Sequence, residues 1–287
     1  MTQVAILRKN DKGVKTMIEV AKERIFSTYG PLEMVEHIVQ IPGAPMNVYS
    51  FLLDGVLIDT ASTGLRTQFF EFIEHKTVDH VLHTHFHEDH IGNTAEVIQK
   101  FGIEAYIHPM SLTKTPTEMR LPRYRQNVWG PPPTPFTSHA YNSTFASKNS
   151  VWDIIPTPGH TEDHVALYNR QHGYLFTGDL FVTPKPKIVL VDENILATMA
   201  SLEKVQKLDF DTMICHHAGV LENGQALIDM KLNYLKELQY RVQKFMNEGL
   251  DVFEITKTIF PKKYPIVEHS NSEWSAMHMI RVLMNNG

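Results

Sequence analysis

The sequence predicts a mixed α/β fold built in packed layers. Three observations predict it: short β-rich segments alternate with helical ones, a tight hairpin signal sits among the first strands, and 43% of the 287 residues are hydrophobic, enough for a sizeable core. Residues 1–33 read as an N-terminal extension carrying a helix, with Met17, Ile18, Ala21 and Ile25 at helical spacing. Segments 34–41, 47–53 and 56–60 are β-rich and punctuated by Pro42-Gly43 and Asp54-Gly55. An Asp-Gly pair between two apolar runs marks a hairpin turn. A helix over about 64–75 leads into a strand at 78–84, and a helix over about 92–101 into a strand at 103–107.

Residues 111–150 break this rhythm with six prolines and many Ser, Thr and Asn, and read as an insertion or lid. The group Arg120, Leu121, Arg123, Tyr124, Arg125, Trp129 and Phe136 suits a recognition surface better than a solvating loop. Strands return at 151–156, 164–169 and 173–177. Residues 193–208 form a helix with Ile195, Met199, Leu202 and Val205 on one face and Asp192 as its N-cap. Segment 210–215 reads as a buried strand. From 222 the chain is helical, with an apolar stripe of Leu227, Met230, Tyr234, Leu238, Val242 and Phe245. Further helices are expected at 251–260 and 272–284. The organisation is therefore an extension at 1–33, a core region at 34–222 and a C-terminal helical region at 223–287.

A net charge of −5 gives no general attraction to nucleic acid. No apolar run is long enough to span a bilayer, and the N-terminus lacks an apolar run of signal length, so no membrane association and a cytoplasmic location are expected. The chain has 16 histidines and a single cysteine, Cys215. That excludes an internal disulfide and any metal site built on several thiolates. Cys215, in a strand, reads as a small buried hydrophobe.

The chemistry concentrates in His85-Phe86-His87-Glu88-Asp89-His90, between a strand and a helix. Strand ends are where open α/β folds place their sites. Neutral imidazole and carboxylate suit zinc, iron or manganese. In an extended segment His85 and His87 face one side, and Asp89 and His90 follow around the turn toward a neighbouring point, which suits two metals in one pocket.

With Pro158-Gly159-His160-Thr161, Thr177-Gly178-Asp179, Cys215-His216-His217-Ala218-Gly219 and the early Leu57-Ile58-Asp59-Thr60, the sequence resembles the metallo-β-lactamase-fold hydrolases over about residues 34–222. The resemblance implies a four-layer αββα sandwich with a C-terminal helical appendage. It implies that His85, His87 and His160 hold a first metal, that Asp89, His90 and His217 hold a second, and that Asp179 bridges them. It makes Asp89 and Asp59 the catalytic carboxylates, Asp59 buried behind the ligands where it orients the site. His216 falls on a position that is usually glycine, so His217 takes the ligand role. His83 reads as a buried strand histidine and His164 as a support rather than a ligand.

The implied cofactors are two divalent ions, zinc first, with iron or manganese as alternatives. The implied function is hydrolysis, by a metal-bridging hydroxide, of an ester, thioester or lactone-type small substrate. The competing readings are an RNA or DNA nuclease or phosphodiesterase, a mononuclear iron dioxygenase, and a non-catalytic metal-binding protein. Residues 225–287 resemble the appendage of lactamase-β-2-type hydrolases, which act on RNA, but the acidic chain ranks nucleic acid below a small-molecule substrate. Val182 stands where homoserine-lactone hydrolases of this fold carry tyrosine, and His87 where the flavin-dependent di-iron members carry glutamate. Arg120, Arg123, Arg125, Lys185 and Lys187 are candidate anion contacts. A homo-oligomer is the remaining partner expectation.

Overall fold

The computed structural model describes residues 23–41 and 44–285. Its first sheet orders seven strands as they occur in the chain: β1 (Glu23–Tyr29), β2 (Leu32–Ile41), β3 (Ala44–Leu53), β4 (Val56–Ile58), β5 (His80–Leu82), β6 (Glu104–Ile107) and β7 (His139–Ala140). β1 to β4 form an antiparallel meander, and β4 to β7 run parallel. The β3–β4 turn is the expected Asp54-Gly55 hairpin, with both residues at positive φ (52° and 74°), as a mirror-image two-residue turn requires. Parallel pairs need longer crossovers. These carry helix α1 (Arg66–Ile73) between β4 and β5, and helices α2 (Glu88–Ile91) and α3 (Thr94–Phe101) between β5 and β6; helix α4 (Arg123–Trp129) precedes β7.

The chain then enters a second sheet with β8 (Thr144–Ala146), β9 (Val151–Pro156), β10 (Val165–Asn169) and β11 (Tyr174–Phe176). It leaves through a short strand β12 (Val189–Leu190) and helix α5 (Ile195–Val205), and returns as β13 (Thr212–Cys215) and β14 (Gly219–Leu221). The sheet order is β14-β13-β11-β10-β9-β8. Helices α6 (Gly224–Asn247), α7 (Val252–Ile259) and α8 (Pro265–His269), strand β15 (Trp274–Ser275) and helix α9 (Ala276–Met284) complete the chain. No helix among the described residues is long and apolar enough to cross a membrane.

Side-chain alternation along the strands sorts the core into three slabs. Val35, Val48, Leu52 and Leu57 pack outward with Phe69, Ile73 and Val97 of α1 and α3. Their strand neighbours Met34, Phe51, Val56 and Ile58 face inward against Trp152, Leu167, Phe176 and Ile214 of the second sheet. Ala166, Leu175, Met213 and Cys215 face outward again, against Leu202, Leu235 and Ile280 of α5, α6 and α9. Three slabs between four layers make an αββα sandwich.

Several local expectations are corrected. Ile25 lies on an edge strand, because Arg24–Tyr29 is β-prone and pairs with β2 along its whole length, ahead of residue 34; Met17, Ile18, Ala21 and Pro42-Gly43 lie outside the described residues. Helix α5 is capped by Asn194, not Asp192: the Asn194 carboxamide accepts hydrogen bonds from the backbone of Leu196 and Ala197. The buried face of α6 is Ile228, Lys231, Leu232, Leu235, Leu238 and Val242, so the expected stripe is rotated and Met230 is 45% exposed. The 111–150 segment is not all lid: β7 extends the first sheet, β8 edges the second, and Phe136 is buried beside His83. Residues 272–275, expected to begin the last helix, instead form a turn and β15, which pairs with β12.

Candidate metal centre and its cavity

The sequence motifs all fall just past the carboxyl ends of strands: Asp59 after β4, His85–His90 after β5, His160 after β9, Asp179 after β11, and His216 and His217 after β13. Facing sheets bring these ends together. Glycine makes one approach possible: Gly178 sits at φ 46°, and a Cβ there would lie 2.7 Å from His164 Nε2 and 2.9 Å from Thr84 Cβ. Asp59, Ala61 and Val182 also hold left-handed φ values of 56°, 52° and 45°, strain concentrated around the cluster.

Donor atoms of His85, His87 and His160 lie within 4.8 Å of one another, as do those of Asp89, His90, His216 and His217, and those of His85, His90 and Asp179. His87 Nδ1 is 3.0 Å from both His85 Nε2 and His160 Nε2. One ring nitrogen carries one proton or one lone pair and cannot serve both neighbours, whereas a cation between them accepts all three lone pairs. The second group gathers around Asp179. Its Oδ1 is 3.5 Å from His90 Nε2, and its Oδ2 is 3.2 Å from His217 Nε2 and 3.5 Å from His160 Nε2. Asp89 Oδ2 is 3.5 Å from His217 Nε2. His90 Nε2 and Asp179 Oδ1 are buried with no hydrogen-bond partner. Such orphaned donors in a carboxylate-rich cluster fit a divalent cation.

The far side of most rings is tied, which turns a lone pair inward. His90 Nδ1 donates to Asp59 Oδ2 at 2.8 Å, and His217 Nδ1 donates to the Asn47 carbonyl at 2.7 Å. His85 Nδ1 is 3.0 Å from the Thr84 hydroxyl, which itself donates to Asp59 Oδ2 at 2.9 Å. His160 Nδ1 faces Glu193 Oε2 at 3.5 Å. Asp59 also accepts from the Thr84 amide at 2.9 Å and lies 3.4 Å from His83 Nδ1. Burial pushes the Asp59 carboxyl up, but His90 and the hydrogen bonds of His83 and His90 outweigh burial and hold it well below the usual carboxylate range. Burial, reinforced by neighbouring imidazoles, keeps His85 and His87 well below the usual histidine value and so neutral, the state a ligand needs. Burial acts the same way on His90 and His217, but Asp59 and Asp179 respectively override it and raise them.

His164 supports rather than joins the cluster: its Nε2 accepts the Asp179 amide at 3.1 Å and its Nδ1 donates to Thr157 at 2.8 Å, while burial pushes it down to about 3. His216 stacks on His90 with ring centroids 3.7 Å apart, and its Nδ1 is 3.7 Å from Asp59. Cys215 is buried in the core.

The cluster opens into a cavity of ≈ 270 Å³. Its apolar walls come from Val128 and Trp129 of α4, Ile188 and Leu190 around β12, Ile266 of α8 and Trp274 of β15. Arg125 is not free for an anion. Its guanidinium clasps Glu88 with two hydrogen bonds of 2.5 and 2.7 Å and reaches Glu273 at 3.1 Å, joining the ligand turn, α4 and the C-terminal region. Burial works against this guanidinium, and Glu88 overrides it and raises it. Asp163 was missed from the sequence. It ties the ligand loop to residue 111 by accepting from the Phe86 amide at 2.9 Å and the Ser111 hydroxyl at 2.6 Å. Thr84, Glu88 and Glu193 were also missed, although Thr84 directly precedes the histidine motif and Glu88 sits inside it; Glu193 has no local signal. Lys231, the one charged residue on the buried face of α6, was missed because the expected stripe is rotated away from it.

The family model of the metallo-beta-lactamase superfamily matches residues 43–217. The beta-lactamase-like protein 2 homolog of Drosophila melanogaster is 25% identical over 193 residues, covering 65% of this chain and 62% of that protein, so the chain spans less than two thirds of that relative. A hydroxyacylglutathione hydrolase of Nitrosomonas eutropha is 27% identical over 210 residues, covering 69% of this chain and 74% of that protein. The crystal structure of a beta-lactamase domain protein from Burkholderia ambifaria shares the fold with a TM-score of 0.66 at 15% identity, over 91% of this chain and 88% of that one.

Proposed function

The chain belongs to the metallo-β-lactamase superfamily, and on that premise we propose that it is a two-metal hydrolase of small carboxylic esters or thioesters. The observation that carries the reading is the gathering of donor atoms in the groups His85, His87 and His160; His85, His90 and Asp179; and Asp89, His90, His216 and His217, with His87, Asp89, His160, Asp179 and His217 lining one apolar cavity. His85, His87 and His160 would hold one cation and Asp89, His90 and His217 the other, with the Asp179 carboxylate in reach of both groups. Zinc fits an all nitrogen-and-oxygen donor set, as do iron and manganese.

Divalent cations held there would supply acidified water, its pKa lowered from about 15.7 toward about 7, and polarise a carbonyl oxygen. The chain's own residues do the rest. Asp59 holds the His90 Nδ1 proton and, through Thr84, braces His85. The Asn47 carbonyl fixes His217 in the tautomer that presents Nε2. Asp89, whose Oδ2 is 3.5 Å from His217 Nε2, is the carboxylate proposed to receive a proton at the reacting centre. Trp129, Trp274 and Leu190 cover the organic part of the substrate and exclude bulk water. The hydroxyacylglutathione hydrolase relative supports a thioester over a phosphodiester. A chromogenic panel run on metal-loaded protein tests the reading. The highest kcat/KM is expected on a carboxylic ester or thioester; a preference for phosphodiesters, or inertness to the whole panel, refutes it.

A further inference from the structure

Lys231 is the one cation on the buried face of α6. It is 6% exposed and lines the cavity beside Asp179 and Glu193. Its ammonium donates to the carbonyls of Leu180 and Phe181 at 2.7 and 2.6 Å, and it forms no ion pair among the described residues. Glu193, which also lines the cavity, accepts from the Leu190 amide at 2.9 Å and faces His160 Nδ1, and makes no ion pair with Lys231. An ammonium has three donors, and the two carbonyls use two of them. A buried cation without a counter-ion is costly unless something completes it. Burial pushes the ammonium down to about 8, so it remains charged at neutral pH. Two carbonyls clamp it in place with the Phe181 ring 5.9 Å away, and hydrocarbon walls lie beyond Asp179 and Glu193.

We infer that Lys231 is an anion subsite inside the cavity, and that the substrates are esters or thioesters whose acyl part carries its own carboxylate. The apolar walls cover the carbon chain, the scissile carbonyl lies over the His and Asp donor cluster, and the Lys231 N–H takes the carboxylate. The inference rests on the hydrolase reading for the position of the scissile bond.

The test uses the metal-loaded protein and a matched pair of thioesters: the half-thioester of a short dicarboxylic acid, and the same compound with its free carboxylate converted to an amide. The expected result is a kcat/KM ratio of about tenfold or more in favour of the anion, collapsing toward one in Lys231→Met. A wild-type enzyme with no preference overturns the subsite. So does a Lys231→Met variant that loses activity equally on both compounds, since that is the signature of a merely structural clamp. Should the variant fail to fold, calorimetry on the wild-type protein decides: the free dicarboxylate must bind at least about tenfold more tightly than its monoamide, and equal binding overturns the proposal. Carboxylate-selective binding without hydrolysis of either thioester supports the subsite and rejects the hydrolase reading.

Discussion

The ligand side of the cavity and its apolar side are held by different means. On the ligand side, short loops at the carboxyl ends of β4, β5, β9, β11 and β13 are fixed to one another and to β3 by hydrogen bonds of 2.7–3.2 Å at Asp59, Thr84, His164 and Asn47. The apolar side is assembled from α4, the β12–β15 ribbon and α8, segments far apart in sequence, and Arg125 links two of them to the ligand turn. Chemistry is thus placed on the rigid scaffold, and selectivity on longer excursions that can vary without disturbing the donors.

The comparison can be broken at its deepest point. Asp179→Ala removes the carboxylate shared by both donor groups. Activity is expected to fall by more than the roughly 10–100-fold typical of losing a partner behind a ligand, with metal content falling alongside it. Asp59→Asn leaves every donor in place and weakens only the anchor of His90. A loss of about 10–100-fold in activity or metal affinity is expected, measured by steady-state kinetics and chelator competition. An effect of Asp59→Asn equal to that of Asp179→Ala would mean that the two carboxylates do not play separate roles.

The link between the two sides gives the next test. Arg125→Met leaves Glu88 buried at 2% exposure without its partner, and a loss of about 3–5 kcal/mol in unfolding free energy is expected. Glu88→Gln in the same chain should recover part of that loss. Denaturant unfolding of the single and double variants decides, and additive losses would show that the clasp is not a coupled pair.

Asp163 supplies the smallest effect and a sign. Burial raises its carboxyl, but the hydrogen bonds of Ser111 and Thr161 outweigh burial and lower it. A carboxylate depressed in the folded state stabilises fully above its unfolded value, about 3.9, and that contribution is lost as pH falls through the folded value. Asp163→Asn should therefore be less stable than the parent at neutral pH, with the gap closing as the solution is acidified below about 4. A gap that is constant with pH would remove the charge from the explanation.

The same contrast explains what was legible in the sequence. The donors lie in compact motifs whose residues are near neighbours, so spacing alone brought out His85, His87, Asp89 and His90. The mixed α/β layering was legible because strand alternation and the Asp54-Gly55 turn are local signals, and the αββα order followed from the resemblance to metallo-β-lactamase-fold hydrolases. The wall was not: Trp274 reaches the cavity only because β15 pairs with β12, and Arg125 faces Glu88 and Glu273 rather than a ligand because of a three-way tertiary junction. Ile25 took a strand because pairing with β2 overrode a local helical period. Lys231 was hidden because the buried face of α6 is rotated from the stripe that Leu227, Met230 and Tyr234 suggested.

Two donor groups flank Asp179, and on the proposed reading each holds a cation. Metal analysis of the purified chain by plasma mass spectrometry, after equilibration with zinc and desalting, measures this directly. Close to two ions per chain are expected, falling together when Asp179 becomes alanine. A stoichiometry that stays at one or below with all seven donors intact would contradict it.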